Sequence, residues 1–448
     1  MLSKSISVIL FVALILGILI FHGANYENPS VAFAQGSGAQ PVAQVPINVT
    51  NTQSVALPSP FQLMIKIDSA EYAAYEAADL SNVAFAYSNG TVIPSWLESG
   101  NSNSSTDTVY WLKVCSVSAN SSATVFMNFY PITDNVLNDE TTGEAPDLST
   151  PRGQYDDGPT VFTVYGDFMN GLSGWQVSAY QGSFMPVSSS NGVEMVDGNV
   201  GELTYLTPPM NLPSTPMEII EAWNYDGGYN SHALSIGPSP FTTSNTVISG
   251  DGYSPVLNNS VSATFDFMGE STELYDYAAN KAVSGSSSFT GDGSFNVVSF
   301  LTLNGTWAST GFTSQYASLE NFSSVLIPTV VSGYCQHTLS NQALIIGAAN
   351  HAYSVIIGYG PPSIQYIRWV IGRAFPPNGV APTVTIGKVE AVPEFPSFVI
   401  LPIFMIATLI AVMISKKKRK VAHVISPSLQ KSQDCLSFGR LLIDPVQE

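Results

Sequence analysis

An apolar segment near the C-terminus restricts the topology of the whole chain. Residues Phe395–Ile414 hold no charge in twenty positions, about the length that crosses a hydrocarbon core. Five basic residues follow, at 416–420. A buried helix of a soluble core is the alternative, but a basic cluster after an apolar span is typical of the cytoplasmic side of a membrane. We therefore expect one transmembrane helix at 395–414, a cytoplasmic tail at 415–448 and an extracellular domain before them.

A second apolar segment lies at the N-terminus. It runs from Ile6 to Phe21 behind Lys4, and Ala32-Phe33-Ala34 provides small residues suited to cleavage. These features predict a signal helix at 1–34, either a cleaved signal peptide or an uncleaved signal anchor. Both apolar segments place the chain at the cell membrane as a single-pass surface protein.

The net charge of the exterior segment limits the classes of partner that it can bind. The segment from Gln35 to Phe395 has seven basic and 29 acidic residues, a net charge of −22. Such a surface repels phosphate backbones, so we do not expect the exterior to bind nucleic acid. Cations and cationic partners remain compatible with it.

Glycosylation sequons agree with an extracellular domain. Seven Asn residues begin an N-x-S/T triplet, although a chain rich in Ser and Asn also produces such triplets by chance: Asn48, Asn89, Asn103, Asn120, Asn258, Asn304 and Asn321.

Cysteine usage predicts no disulfide scaffold. Cys115 and Cys335 are in the exterior, and Cys435 is in the tail. One disulfide or two separate thiols are both compatible with this pattern.

The first part of the exterior has the period of half-buried strands. Phe61–Ile67 places alternate apolar residues on one face, and Asp68 is suited to cap a short helix that extends to Glu76. Val83–Tyr87 leads into Asn89-Gly90, the preferred dipeptide of a tight hairpin. With further strands at 107–114 and 123–130, the pattern predicts an antiparallel sandwich over 44–158.

The rest of the exterior predicts a second, larger sandwich. The polar stretch Thr133–Gly158 is interpreted as a loop or linker. Short strands separated by Gly-containing turns then continue to Val392, which suits one jelly-roll sandwich at 159–392. The fold class expected is therefore mainly β, with two antiparallel sandwiches, a signal helix and a transmembrane helix.

The first domain resembles a known family, domain of unknown function 2341, which occurs in archaeal and bacterial surface proteins. Four segments carry the resemblance: Ile93–Ser99, Val109–Val114, Phe126–Pro131 and Tyr155–Gly158. They are similar to the family's Pro-x-Trp-x-Glu strand, its Tyr-Trp-x-Lys strand and its Tyr-Asp/Asn-Asp/Asn-Gly turn.

The second domain resembles the concanavalin A-like (laminin-G-like) lectin sandwiches that commonly follow that family. The similarity rests on Phe162–Trp175 at its start and on Tyr366–Val370 and Arg373–Gly379 at its end. This resemblance implies carbohydrate binding or adhesion.

The membrane-proximal segment resembles the Pro-Glu-Phe sorting signals of archaeal exported proteins. Pro393-Glu394-Phe395 precedes the apolar span and the basic cluster. The chain departs from that pattern by continuing for 28 residues after Lys420, so permanent anchoring by the span is the default expectation.

No catalytic constellation stands out. A hydrolase on a lectin-like sandwich needs paired carboxylates, and Glu218 and Glu221 would point to opposite faces of a strand because their separation is odd. The other candidates are Asp266, Glu270 and Glu273, of which Asp266 and Glu270 would share a face if one strand extends over both. We expect a non-enzymatic protein, with an anchored glycosidase or acid carboxyl peptidase as the alternative.

Two ligand sites are expected. Asp156, Asp157 and Asp167 offer hard oxygen ligands for calcium, although ordinary turns also explain them. Exposed aromatics flanked by polar groups suit sugars, and one such cluster is Trp223, Asn224, Tyr225, Asp226, Tyr229 and Asn230. The partners expected are thus the membrane and either glycans or surface-layer proteins.

Overall fold

The structure is a computed structural model. It describes the following residues: 40–180, 184–197, 203–213, 215–226, 230–238, 263–268, 271–276, 281–286, 295–303, 306–313, 331–334, 342–350, 363–392, 406, 408–410 and 413.

Strands dominate this part of the chain. The early strands are β1 (Ala43–Asn51), β2 (Phe61–Ile67), β3 (Val83–Tyr87), β4 (Val92–Ile93), β5 (Ser95–Ser99), β6 (Thr108–Val114), β7 (Ser121–Phe129), β8 (Thr142–Glu144) and β9 (Val164–Asp167). The middle strands are β10 (Gln176–Tyr180), β11 (Val187–Ser189), β12 (Gly192–Asp197), β13 (Leu203–Thr207), β14 (Met217–Asp226), β15 (Asn230–Pro238), β16 (Ala263–Met268), β17 (Ser271–Asp276), β18 (Lys281–Ser286), β19 (Phe295–Leu303), β20 (Thr306–Thr313), β21 (Val331–Tyr334), β22 (Gln342–Asn350) and β23 (Ser363–Ala374). Two short strands, β24 (Thr383–Ile386) and β25 (Glu390–Ala391), follow. The mainly β fold class is confirmed.

The first sandwich encloses an apolar core between two sheets. One sheet has the order β24-β1-β7-β3-β4, with β25 also paired to β1, and the other has the order β2-β6-β5-β8. Alternate residues of β2, such as Leu63 and Ile65, are buried in this core while Lys66 is exposed. The alternation in the sequence thus identified the buried face.

Local signals behave as expected at two points. Gly90 has a φ of 106° in the turn between β3 and β4, a left-handed conformation that glycine adopts at low cost. Asp68 caps a 3-10 helix through its Oδ1, which accepts from the Ala70 N–H at 3.2 Å. This helix spans Ser69–Tyr72 and ends earlier than the predicted Glu76.

The second sandwich is built from larger sheets. Their orders are β11-β12-β23-β14-β19-β20-β21, with β9 paired to β23, and β10-β13-β22-β15-β16-β17-β18. Neighbours within both sheets are antiparallel. Successive strands from β12 to β15 alternate between the two sheets, as the two-sheet jelly-roll prediction requires.

The domain boundary differs from the prediction of 159–392 for the second sandwich. β24 pairs with β1 through Ile386↔Ile47, and β25 pairs with it through Ala391↔Ala43. The last strands therefore complete the first sandwich, and the second sandwich is inserted between β8 and β24.

The predicted linker Thr133–Gly158 is also structured. β8 lies within it and pairs with β5 in parallel, so the first sandwich is not purely antiparallel. Glu144 and Asp157 are buried there. The linker was mistaken for a loop because composition does not distinguish polar residues that are buried in the fold from polar residues of a loop.

A shared core joins the two sandwiches. Trp96 and Trp111, from β5 and β6, pack with Trp369 and Ile371 of β23 and with Phe162. The rings of Trp96 and Trp111 lie 5.4 and 5.5 Å from that of Phe162, both edge-on. These tryptophans are fully buried, so one face of the four-stranded sheet is covered by the second sandwich.

The predicted membrane segments lie largely outside the described residues. Residues 1–34 are outside them, and of 395–414 only 406, 408–410 and 413 are described, all helical. Within the part of the chain that the structure describes, no helix is both long and apolar enough to span a membrane.

Candidate functional site

The turn that connects the sandwiches is organised around Asp156. Its Oδ1 accepts from the Trp96 indole N–H and from the Gly158 N–H, both at 3.0 Å, and its Oδ2 accepts from the Tyr165 hydroxyl at 2.8 Å. Burial raises the pKa of Asp156 to about 6, and these donors offset only part of that rise. The carboxylate therefore holds β5 and β9 to one turn.

Asp157 lies beside it in a different environment. The side chain is fully buried, and neither carboxylate oxygen has a hydrogen-bond donor among the described residues. A Cβ on Gly143 would lie 2.4 Å from its Oδ1, so β8 approaches the carboxyl as only glycine permits. Burial, followed by the charge of Asp156, raises the pKa of Asp157 well above its ordinary value. Asp157 is consequently neutral at pH values where an exposed Asp is ionised.

Of the three predicted calcium ligands, Asp156 and Asp167 have separate hydrogen-bond donors, whereas Asp157 has none among the described residues. The Oδ1 of Asp167 accepts from Arg152 Nη2 at 2.9 Å and from the Met169 N–H at 3.3 Å. Arg152 also forms an ion pair with Asp147. Asp167 is near enough to raise the pKa of Asp156. In the described ranges no three His, Cys, Asp or Glu side chains are grouped as metal ligands.

The carboxylates at 218 and 221 do not form a pair. Glu218 Oε2 accepts from Arg373 Nε at 2.6 Å and binds Nη2 at 2.5 Å, and the guanidinium lies 5.0 Å from the centre of the Trp111 ring. Glu221 is fully buried, and the alternation of β14 places it on the opposite face. This ion pair is thus part of the junction between the sandwiches.

Arg373→Met should expose the role of this ion pair. Removing the guanidinium takes the cation away from the buried Glu218 carboxylate, and we expect the free energy of unfolding to fall by about 3 kcal/mol at neutral pH. Urea denaturation would measure it. The double variant Arg373→Met/Glu218→Gln should recover most of the loss, whereas an equal loss in both variants would contradict an ion-pair role.

The predicted sugar-binding cluster is not the loop that the sequence suggested. Trp223 is 3% exposed, so it does not provide an open ring face, and the expectation for this residue is wrong. Asn224, Tyr225 and Asp226 continue strand β14, and Asn230 begins β15; their side chains and Tyr229 lie outside the described residues.

A different apolar surface is exposed on the second sandwich. Phe184, Met185 and Val187 are 62%, 49% and 50% exposed and lead into β11, an edge strand. Further along the hairpin to β12, the polar side chains of Ser188, Ser190 and Asn191 are also exposed. We call residues 184–192 the edge hairpin. No pattern in the sequence indicates this exposure, because apolar residues beside a strand are ordinarily assigned to the core.

The predicted modification sites divide by exposure. Asn48, Asn89 and Asn120 are exposed, whereas Asn103 is partly buried and its Nδ2 donates to the Glu76 carbonyl at 3.3 Å. Asn258, Asn304 and Asn321 lie outside the described residues.

Of the cysteines, Cys115 is exposed and free. Cys335 and Cys435 lie outside the described residues, so the choice between a Cys115–Cys335 disulfide and two separate thiols stays a prediction.

Comparisons with known proteins give distant similarities. No family model matches the chain. Uncharacterized protein 562 of Sulfolobus islandicus rod-shaped virus 1 is 26% identical over 367 residues, which cover 77% of this chain. The chain spans 59% of that protein's length. The resemblance to domain of unknown function 2341 stays a prediction.

Solved structures are similar over about half of the chain. Carbohydrate binding module CBM66 from Bacillus subtilis is 7% identical with a TM-score of 0.29, covering 45% of this chain and 97% of its own. The exoplasmic/lumenal domain of VIP36 with Ca²⁺ and Man3GlcNAc is 8% identical with a TM-score of 0.32, covering 48% and 93%. LamAcat from Zobellia galactanivorans is 11% identical with a TM-score of 0.33, covering 47% and 97%.

Proposed function

We propose that this chain is a membrane-anchored cell-surface protein whose ectodomain binds glycans without catalysing a reaction. The span at 395–414 and its basic cluster support the anchorage, with the tail in the cytoplasm. The edge hairpin carries the binding part of the proposal.

The chemistry of the edge hairpin suits sugars. Protein sites for sugars combine an exposed apolar face, against which the C–H groups of the ring pack, with polar groups that bind the hydroxyls. Phe184 supplies such a face, and Ser188, Ser190 and Asn191 supply hydroxyl and amide groups on the same hairpin. Uncharged donors and acceptors suit neutral glycans in a strongly acidic ectodomain.

The buried carboxylates support a binding role over hydrolysis. A glycosidase needs one protonated and one ionised carboxyl that reach the same bond. Glu218 is neutralised by Arg373 at the junction, and Glu221 is buried on the other face. The side chains of Asp266 and Glu270 lie outside the described residues, so a hydrolysis screen belongs in the test.

A glycan array on residues 40–392 tests the proposal. We expect binding to neutral glycans, and Phe184→Ala should weaken it about tenfold, equivalent to about 1.4 kcal/mol. Val55→Ala is the matched control, because Val55 is an exposed apolar residue on the first sandwich. Equal binding by the two variants would refute the edge hairpin as the site. Release of sugar or peptide products in a parallel hydrolysis screen would replace binding with catalysis.

A further inference from the structure

The chain enters and leaves the first sandwich at one point. The Val392 N–H donates to the Val42 carbonyl at 3.2 Å, and the Val42 N–H donates to the Phe129 carbonyl at 2.7 Å. The register Ala43↔Ala391 places the start of β1 beside the end of β25. We call this end of the six-stranded sheet the chain-exit end.

Apolar side chains are exposed at the chain-exit end. Ile132, three residues after the end of β7, is 62% exposed, and Tyr75 is 37% exposed with its ring stacked 5.8 Å from that of Phe129. Asn82 binds the two segments together, since its Nδ2 donates to the Tyr75 and Tyr130 carbonyls at 2.8 and 2.7 Å. Ala74 is exposed beside them.

The length of chain after Val392 limits what this end can face. Only Pro393 and Glu394 separate it from Phe395, where the apolar segment begins. Three residue steps reach at most about 11 Å. If the segment at 395–414 spans the membrane, Val392 must therefore lie close to the membrane surface.

We propose that the chain-exit end contacts the lipid surface, with Tyr75 and Ile132 at the level of the headgroups. This rests on the proposed membrane anchorage. Tyrosine is favoured at that depth because its ring is apolar and its hydroxyl stays hydrated. The exposed carboxylates of Glu71, Asp79 and Glu390 are nearby in sequence, and they keep the contact shallow because ionised groups resist burial in hydrocarbon.

Other residues mark the opposite end of the same sheet. Val125 pairs with Tyr87 and Ser121 pairs with Asn51 there. Asn89 lies in the turn after β3, and the Val55 carbonyl accepts from Asn51 Nδ2 at 2.9 Å. The side chains of Asn89 and Val55 are exposed, so they are suitable reference positions far from the proposed contact.

Lipid-dependent quenching tests the proposal on the full chain in phosphatidylcholine vesicles. The background carries the substitutions Cys115→Ser, Cys335→Ser and Cys435→Ser, so that it has no cysteine of its own. One new cysteine is then introduced for a fluorophore, by Ala74→Cys, Ile132→Cys, Val55→Cys or Asn89→Cys. A lipid with a spin-labelled headgroup then serves as quencher. We expect quenching at least threefold stronger at 74 and 132 than at 55 and 89. All four sites are exposed, and matching thermal unfolding curves confirm that the variants fold.

Carbonate extraction distinguishes failure of the proposed lipid contact from failure of the proposed membrane anchorage. Equal quenching at all four positions, in protein that resists extraction, would overturn the lipid contact and leave the anchorage standing. Release of the protein by carbonate would overturn the anchorage and the contact together.

Discussion

Trp111→Ala is expected to lower the free energy of unfolding by about 3–5 kcal/mol, the usual cost of truncating a buried tryptophan. The ring is fully buried, and it lies against Phe162 and the Arg373 guanidinium. Its indole N–H donates to Glu98 Oε2 at 2.6 Å, so the variant also removes a donor from a buried carboxylate. Because the Trp111 ring packs against both sandwiches, we expect the parent to unfold in one calorimetric transition and the variant in two.

Phe85→Ala is the matched control for this variant. Phe85 is equally buried, but it packs between the sheets of the first sandwich. Its loss should destabilise the protein without separating the transitions. Two transitions in both variants, or one in both, would contradict a junction role for Trp111.

The second large effect concerns pH: stability should be highest in acid and fall as the pH rises from about 4 to about 7. Glu76 is buried, and neither of its oxygens has a hydrogen-bond donor among the described residues. Burial raises the pKa of Glu76 to about 7, and the nearby Ser69 offsets only part of this. A folded state with the higher pKa binds more protons than the unfolded state, so stability decreases as the pH rises through this window.

Neighbouring groups reinforce the effect. Burial also raises the pKa of Glu144. The pKa values of Asp156 and Asp157 are raised as well. Asp79 acts in the other direction, because hydrogen bonds from Ser81 outweigh burial and lower its pKa.

Glu76→Gln isolates the contribution of Glu76, whose pKa is raised to about 7. The variant should match the parent at pH 4 and exceed it at pH 8 by on the order of 3 kcal/mol, at about 1.4 kcal/mol per pKa unit. Urea denaturation at four pH values would measure this. Asp107→Asn, which removes an exposed carboxylate paired with Lys66, should leave the slope unchanged. A difference between Glu76→Gln and the parent that is the same at pH 4 and pH 8 would contradict the raised pKa of Glu76.

Much of the first sandwich could be predicted because its signals are local. The alternation in Phe61–Ile67 and the Asn89-Gly90 turn determine a strand face and a hairpin within a few residues. The return of β24 to β1 has no such signal. Thr383–Ile386 alternates as any edge strand does, and nothing in it states which sheet it joins.

The sites were harder to predict because burial is a tertiary property. Trp96 and Trp111 belong to strands of the first sandwich, yet they lie on its outer face under the second sandwich. Trp223 has the polar neighbours of a sugar platform and is nevertheless buried. Phe184 has the sequence context of a core residue and is exposed. In each case, whether the ring is covered depends on segments that are distant in sequence.

The pairing of β1 with β24 and β25 has a consequence for biosynthesis. Translation delivers β1 early, but the strand gains its outer neighbours only after Ile386 and Ala391 have been synthesised. Until then the whole second sandwich must be accommodated as an insertion, and one edge of β1 is open to pairing with other chains. A chain truncated before Ile386 would be left with an unpaired edge on β1, which proteases and chaperones can recognise.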